Sequence, residues 1–87
     1  MMKVRLHKKF EKRYVKLPHE IRAHFKERRD IFILDSFHPL LQNHALKGKY
    51  QGYRSINITG DYRAVYKLEN DNLALFVDIG THSELYS

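Results

Sequence analysis

Residues 53–79 read YRSINITGDYRAVYKLENDNLALFVDI, and their alternation decides the fold. In YRSINI, Ile56 and Ile58 alternate with Tyr53, Ser55 and Asn57, the period of a strand with one buried face. Thr59-Gly60-Asp61 reads as a tight turn. YRAVYKL then sets Tyr62, Ala64, Tyr66 and Leu68 against Arg63, Val65 and Lys67. Glu69-Asn70-Asp71-Asn72 reads as a second turn, and LALFVDI is rich enough in β-branched and aromatic residues for a central strand.

Upstream, DSFHPLLQNHALKGKYQG has a proline, two glycines and mixed polarity. It reads as a connection with a short helical turn around Leu40 and Leu41. Before it, Ile21, Phe25, Arg28 and Phe32 keep helical spacing, predicting a helix from Pro18, which suits a first turn, to about Asp35. Phe10, Tyr14 and Leu17 form an earlier helical stripe that ends at Leu17-Pro18. MKVRLH alternates, with Val4 and Leu6 on one face, and reads as a first strand. The expected order is β-α-α-β-β-β: an α+β domain with a helical hairpin on one face of a small, mainly antiparallel sheet. Eighty-seven residues, 1–87, allow one domain.

Composition narrows the function classes. With no cysteine, disulfides and thiolate metal sites are excluded. The N-terminus MMKVRLHKKFEKR is too charged for a signal peptide, and IFIL (residues 31–34) is too short to span a bilayer. An intracellular, cytoplasmic protein without membrane attachment is the expectation. The net charge is +6 and lopsided: residues 1–49 hold 13 basic and 5 acidic residues (net +8), residues 50–87 hold 3 and 5 (net −2). Such an excess suits a polyanionic partner, most often nucleic acid, although lysine-rich solvated helix faces give the same balance.

Individual residues leave alternatives open. His44, Lys47, Lys49 and Arg54 fall within eleven residues around Gly48 and Gly52. They supply phosphate-binding cations and a group that titrates near neutrality, or else an exposed basic loop. Strand parity puts Arg63 with Val65 and Lys67, on the solvated face or in a site on the sheet. It also puts Arg54 at the end of the apolar row of Ile56 and Ile58. Asp61 at a hairpin is ordinary turn chemistry. His19 and His24 are about 140° apart on a helix and share no ligand face; no histidine stands with a carboxylate at metal-site spacing, so neither a metal nor another cofactor is expected.

HPLLQNHALKGKYQGYRSINITGDYRAVYK (38–67) followed by FVDIGTHSELY (76–86) resembles the RelE/ParE superfamily of bacterial toxins, and its YafQ-like branch in particular. The "NHALKG", "GDYRAVY" and "GTHSELY" segments stand in the family's order and spacing. The resemblance implies the toxin of a type II toxin–antitoxin system: an mRNA interferase, a metal-free endoribonuclease that cuts messenger RNA on the ribosome. It implies catalytic roles for His44, Asp61, His82 and Tyr86. It implies RNA contacts for Lys47, Lys49, Arg54, Tyr62 and Arg63. It also implies a cognate antitoxin, through which the complex binds operator DNA. Asn57 departs from the pattern, since the branch commonly places another histidine there. Two alternatives share the fold: a ParE-like toxin that inhibits DNA gyrase by binding alone, and a decayed toxin serving as a binding module.

Overall fold

The computed structural model describes residues 1–86. In chain order the elements are β1 (Lys3–Leu6), α1 (Lys8–Tyr14), α2 (His19–Leu34), β2 (His44–Ala45), β3 (Arg54–Thr59), β4 (Tyr62–Asn70), β5 (Leu73–Thr81) and α3 (His82–Tyr86). The strands form one sheet in the order β1-β5-β4-β3-β2. β3, β4 and β5 are the antiparallel meander that the alternation predicts. β1 pairs parallel with β5, Lys3 opposite Leu73 and Leu6 opposite Phe76, so the first and last strands lie side by side.

The hairpin of α1 and α2 forms where apolar residues recur at helical spacing. His7 caps α1, its ring nitrogen accepting from the Lys9 amide at 3.1 Å. Pro18 stands at the N-cap of α2, one position before the first turn, where its missing N–H costs nothing. The Tyr14 hydroxyl donates to the Arg22 carbonyl at 3.1 Å and ties the two helices together. Phe10, Phe25 and Phe32 project from the helices onto Phe76 of β5, with ring centroids 5.4–6.0 Å away. Tyr66 of β4 completes this group, 5.2 Å from Phe76. Phe76 is fully buried at its centre, so replacing it by alanine costs about 3–5 kcal/mol. Val4 packs against the same core, but Leu6 is 37 % exposed, because it ends an edge strand with a neighbour on one side only.

Parity then divides the sheet. Ile56, Ile58, Ala64, Tyr66 and Phe76 face the helices, whereas Val65 joins Leu46 and Leu85 in a second, smaller apolar cluster on the opposite face. A bulge where β5 passes β4 gives β5 one extra residue. Val77 and Asp78 accordingly both turn to that second face.

Three features lie outside the predicted order. Within the connection, His44 and Ala45 pair with Ser55 and Arg54 as a two-residue edge strand. Two 3-10 turns flank it, the expected one at Pro39–Leu41 and a further one at Gly48–Tyr50. The tail after β5 is helical. Two paired residues and a five-residue helix are too short to show a period, which is why alternation missed them. Among the described residues no helix is long and apolar enough to cross a membrane.

Candidate active site

The second face of the sheet carries a concave pocket of about 420 Å³ lined by His44, Leu46, Lys47, Arg63, His82 and Tyr86. Its geometry begins one turn upstream. Gln42 lies at φ 46°, ψ 45°, the one non-glycine residue with positive φ among those described. That conformation costs an L-residue roughly 1–2 kcal/mol. Its consequence is that the Gln42 carbonyl faces the pocket. There it accepts from Arg63 Nη2 at 2.9 Å and lies 3.0 Å from His44 Nδ1.

Arg63 is fixed from below as well. Its Nε donates to the Ser55 hydroxyl at 2.8 Å and its Nη2 to the Ser55 carbonyl at 3.3 Å, Ser55 being fully buried. Burial lowers the guanidinium pKa from its ordinary value, and the nearby Tyr86 acts in the opposite sense. Arginine nevertheless remains a cation at any physiological pH. Arg63 Nη2 also stands 3.2 Å from His44 Nδ1. The two neighbours of that nitrogen demand opposite tautomers. A protonated Nδ1 donates to Gln42 and leaves the Nε2 lone pair free, whereas a bare Nδ1 accepts from Arg63.

His82 and Tyr86 arrive on α3. Thr81-His82-Ser83-Glu84 is a capping box: the Thr81 amide donates to Glu84 Oε1 at 2.8 Å, and the Glu84 amide donates to Thr81 Oγ1 at 3.3 Å. The bond from the Thr81 amide holds the Glu84 carboxyl below its usual pKa. The His82 amide donates to the Asp61 carbonyl at 3.1 Å, and the buried Leu85 anchors the helix in the second cluster. His82 is then exposed, with its ring 4.7 Å from that of Tyr86. The Tyr86 hydroxyl is shielded from solvent, yet has no hydrogen-bond partner among the described residues.

Tyr86 meets Tyr50 edge to face at 6.2 Å. The Tyr50 hydroxyl donates to Asp78 at 2.8 Å, and burial together with this bond pushes its pKa up to about 12. Asp78 also accepts from Arg13 Nη1 at 3.1 Å, with Lys9 at 3.3 Å, so α1 is tied through one carboxylate to the wall of the pocket.

His44, Lys47, Arg63, His82 and Tyr86 thus line one pocket. Four others are placed elsewhere. Asp61 meets the site through its main chain; its exposed carboxylate sits at the β3–β4 turn and does not line the pocket. Tyr62 faces the helices and packs against the main core. Lys49 lies over the Tyr50 ring at 5.4 Å and lines a neighbouring groove. Arg54 is on the helix-bearing face: its Nε donates to Asn43 Oδ1 at 2.9 Å and its guanidinium lies 5.1 Å from the Phe37 ring. Asn57 pairs with Arg63 across the ladder, and its amide donates to the Gly60 carbonyl at 3.2 Å. Sequence reasoning missed Gln42, Ser55, Tyr50 and Asp78. Only the capping box had a local signal, the T-x-x-E spacing. Among the described residues no three His, Asp or Glu side chains converge as a metal site.

By sequence alone no curated protein matches the chain at a significant level. Solved structures do match. YafQ from E. coli superposes with a TM-score of 0.78 over 100% of both chains at 24% identity. The E. coli DinJ–YafQ complex gives 0.78 over 100% of both chains at 26% identity. A copper-bound mutant toxin from Helicobacter pylori gives 0.69 over 99% of this chain and 100% of that one, at 31% identity. The model of YafQ, bacterial toxin of type II toxin–antitoxin systems, matches residues 2–87. With the α+β fold, the pocket on the second face and that match over nearly the whole length, the chain belongs to the YafQ family of type II toxin–antitoxin toxins.

Proposed function

We propose that this toxin is a ribosome-dependent endoribonuclease that cleaves messenger RNA by attack of a ribose 2′-oxygen on the adjoining phosphodiester. The observation that carries the reading is that two histidines and one half-buried arginine line a single pocket, with His44 Nδ1 3.2 Å from Arg63 Nη2. The reaction needs a base for the 2′-hydroxyl, an acid for the departing 5′-oxygen, and cations for the charge growing on phosphate. The 2′-oxygen bonds to phosphorus as the P–O5′ bond breaks, leaving a 2′,3′-cyclic phosphate and a 5′-hydroxyl.

His44 and His82 are the proton-transfer pair. An imidazole offers a lone pair on one nitrogen and a proton on the other, so it serves in either direction. The Nδ1–H tautomer of His44, held by the Gln42 carbonyl, presents Nε2 to the pocket. Arg63 and Lys47 hold the phosphate, and Tyr86, which lines the pocket beside His82, orients the substrate there. Asp61 contributes by fixing the start of α3 through its carbonyl. The net charge of +6 suits both an RNA substrate and an acidic antitoxin that masks the pocket. That partner is cognate to the toxin, as DinJ is to YafQ in the E. coli complex, and carries any operator-DNA binding; the setting is the cytoplasm.

The test is cleavage of message on programmed ribosomes in the presence of a chelator, with end-group analysis of the products. Cyclic phosphate and 5′-hydroxyl ends without added metal are the expected result. Cleavage that a divalent ion must restore overturns the mechanism. Inactivity on ribosomal and free RNA alike favours a decayed toxin, and arrested DNA supercoiling favours gyrase inhibition.

A further inference from the structure

The same face of the sheet carries a second groove, of about 450 Å³, that none of the roles above uses. His7 and Lys9 at the β1–α1 junction, Lys49 and Tyr50 of the second 3-10 turn, and Tyr53 and Lys67 supply its walls. Glu69 is the single carboxylate lining it. The one beneath, Asp78, is already occupied by Arg13 and Lys9. A volume of this size lies in the range of small-molecule sites.

The groove is joined to the active-site pocket by a row of rings. His82 meets Tyr86 at 4.7 Å, Tyr86 meets Tyr50 at 6.2 Å, and Tyr50 meets Tyr53 at 5.8 Å. Cations flank the row: Lys49 over Tyr50 at 5.4 Å and Lys67 over Tyr53 at 5.8 Å, with Lys47 and Arg63 at the pocket end. Aromatic faces interleaved with positive charge along one face of a sheet are what a single strand of nucleic acid requires. Stacking holds each base whatever its identity, and the lysines track the phosphates.

We infer that the groove of Tyr53, Tyr50 and Lys67 is a subsite for a nucleotide flanking the cleaved bond, so that the substrate strand runs from the His44–His82 pocket along Tyr86 and Tyr50 to Tyr53. This rests on the nuclease reading, and it assigns Tyr53 and Lys67 to strand binding and leaves chemistry to the first pocket. Tyr50 is braced by Asp78, so its ring separates the two pockets as a fixed post; Tyr53 is the ring free to stack on a base.

The experiment measures binding of fluorescein-labelled, fully 2′-O-methylated RNAs of mixed sequence, about three and about nine nucleotides long, which occupy the site without being cut. Wild-type protein should bind the longer RNA about tenfold or more tightly. Tyr53→Ala should reduce affinity for the longer RNA about tenfold, within the range of one lost stack, and leave the shorter unchanged. Tyr53→Phe should keep affinity within about twofold. Lys67→Ala should lower the salt slope for the longer RNA by about 0.7, one phosphate contact on a single strand. Equal binding of the two lengths, or unchanged affinity and slope for the longer RNA in both Tyr53→Ala and Lys67→Ala, overturns the subsite while leaving the nuclease reading in place. Lys67 is at the surface, so that variant answers even if Tyr53→Ala unfolds. Wild-type protein that binds neither length overturns the subsite, because a groove built from this chain's own residues holds RNA without the ribosome; the nuclease reading stands or falls on the ribosome cleavage assay.

Discussion

Asp78→Asn keeps the shape of a side chain that is 3% exposed and removes the charge on which three elements converge. The carboxylate accepts from Arg13, from the Tyr50 hydroxyl at 2.8 Å and from the Ile79 amide at 2.9 Å, with Lys9 at 3.3 Å. Lys9 and Arg13 side chains are 59% and 32% exposed, so solvent screens both, and Lys9 contributes at most about 0.5 kcal/mol. The bonds from Tyr50 and Arg13 are charge-assisted and less accessible to water, each about 1–1.5 kcal/mol after screening. Asparagine also presents an NH2 group to these donors. The loss should be about 3 kcal/mol, which for a domain of this size lowers Tm by roughly 12–24 °C. Thermal unfolding followed by circular dichroism reads it directly. A double-mutant cycle with Tyr50→Phe should return a coupling of about 1 kcal/mol, since the two groups touch. A Tm within about 3 °C of wild type, or a coupling near zero, refutes the view that Asp78 fastens α1 and Tyr50 to one point.

Four further outcomes are expected. His82→Ala should slow cleavage about 10²–10⁴-fold with Tm nearly unchanged, and His44→Ala plus His82→Ala should be little worse than the poorer single variant; a destabilised but fully active His82→Ala protein removes the tail from the site. Histidine ¹⁵N spectra should show His44 protonated on Nδ1, and Gln42→Gly, which tolerates φ 46°, should keep that tautomer, whereas a bare Nδ1 in the wild type counts against the tautomer assigned to His44 above. Glu84→Gln should lower Tm at neutral pH and cease to matter in acid: the folded carboxyl titrates below its unfolded value, so its contribution is full above the unfolded pKa and lost as pH falls through the folded one; a Tm difference that persists at pH 2 contradicts this. Lys47→Ala should flatten the salt dependence of RNA binding, while Arg54→Ala, on the other face, should lower Tm and leave the salt slope alone; a changed slope in Arg54→Ala would return that residue to the RNA site.

The meander was legible because each of its strands keeps a period of two over enough residues to be read locally. The helical hairpin was legible for the same reason at a period of 3.6. Even the parity of the site face was present: the alternation pairs Arg63 with Val65, and the structure keeps both on the face that carries the pocket. The same parity set Arg54 in the row of Ile56 and Ile58, which is the row the helices cover, so its placement away from the pocket was already implied. Matched segments near residues 44, 63, 82 and 86 pointed to stretches of the chain that line the pocket.

What the sequence determined by itself is therefore the helical hairpin, the long strands with the row that faces the helices, and the family. Tertiary structure decided which groups meet. His44 reaches Arg63 only because a two-residue strand pairs at the sheet edge after Gln42 takes a left-handed turn, and neither event leaves a periodic trace. Asp78 turns to Tyr50 and Arg13 because β5 is bulged, a register feature that exists only between two strands. Periodicity is a property of neighbours along a chain, whereas a site is assembled from residues dozens of positions apart, and their distances are set by register and by what the core underneath allows.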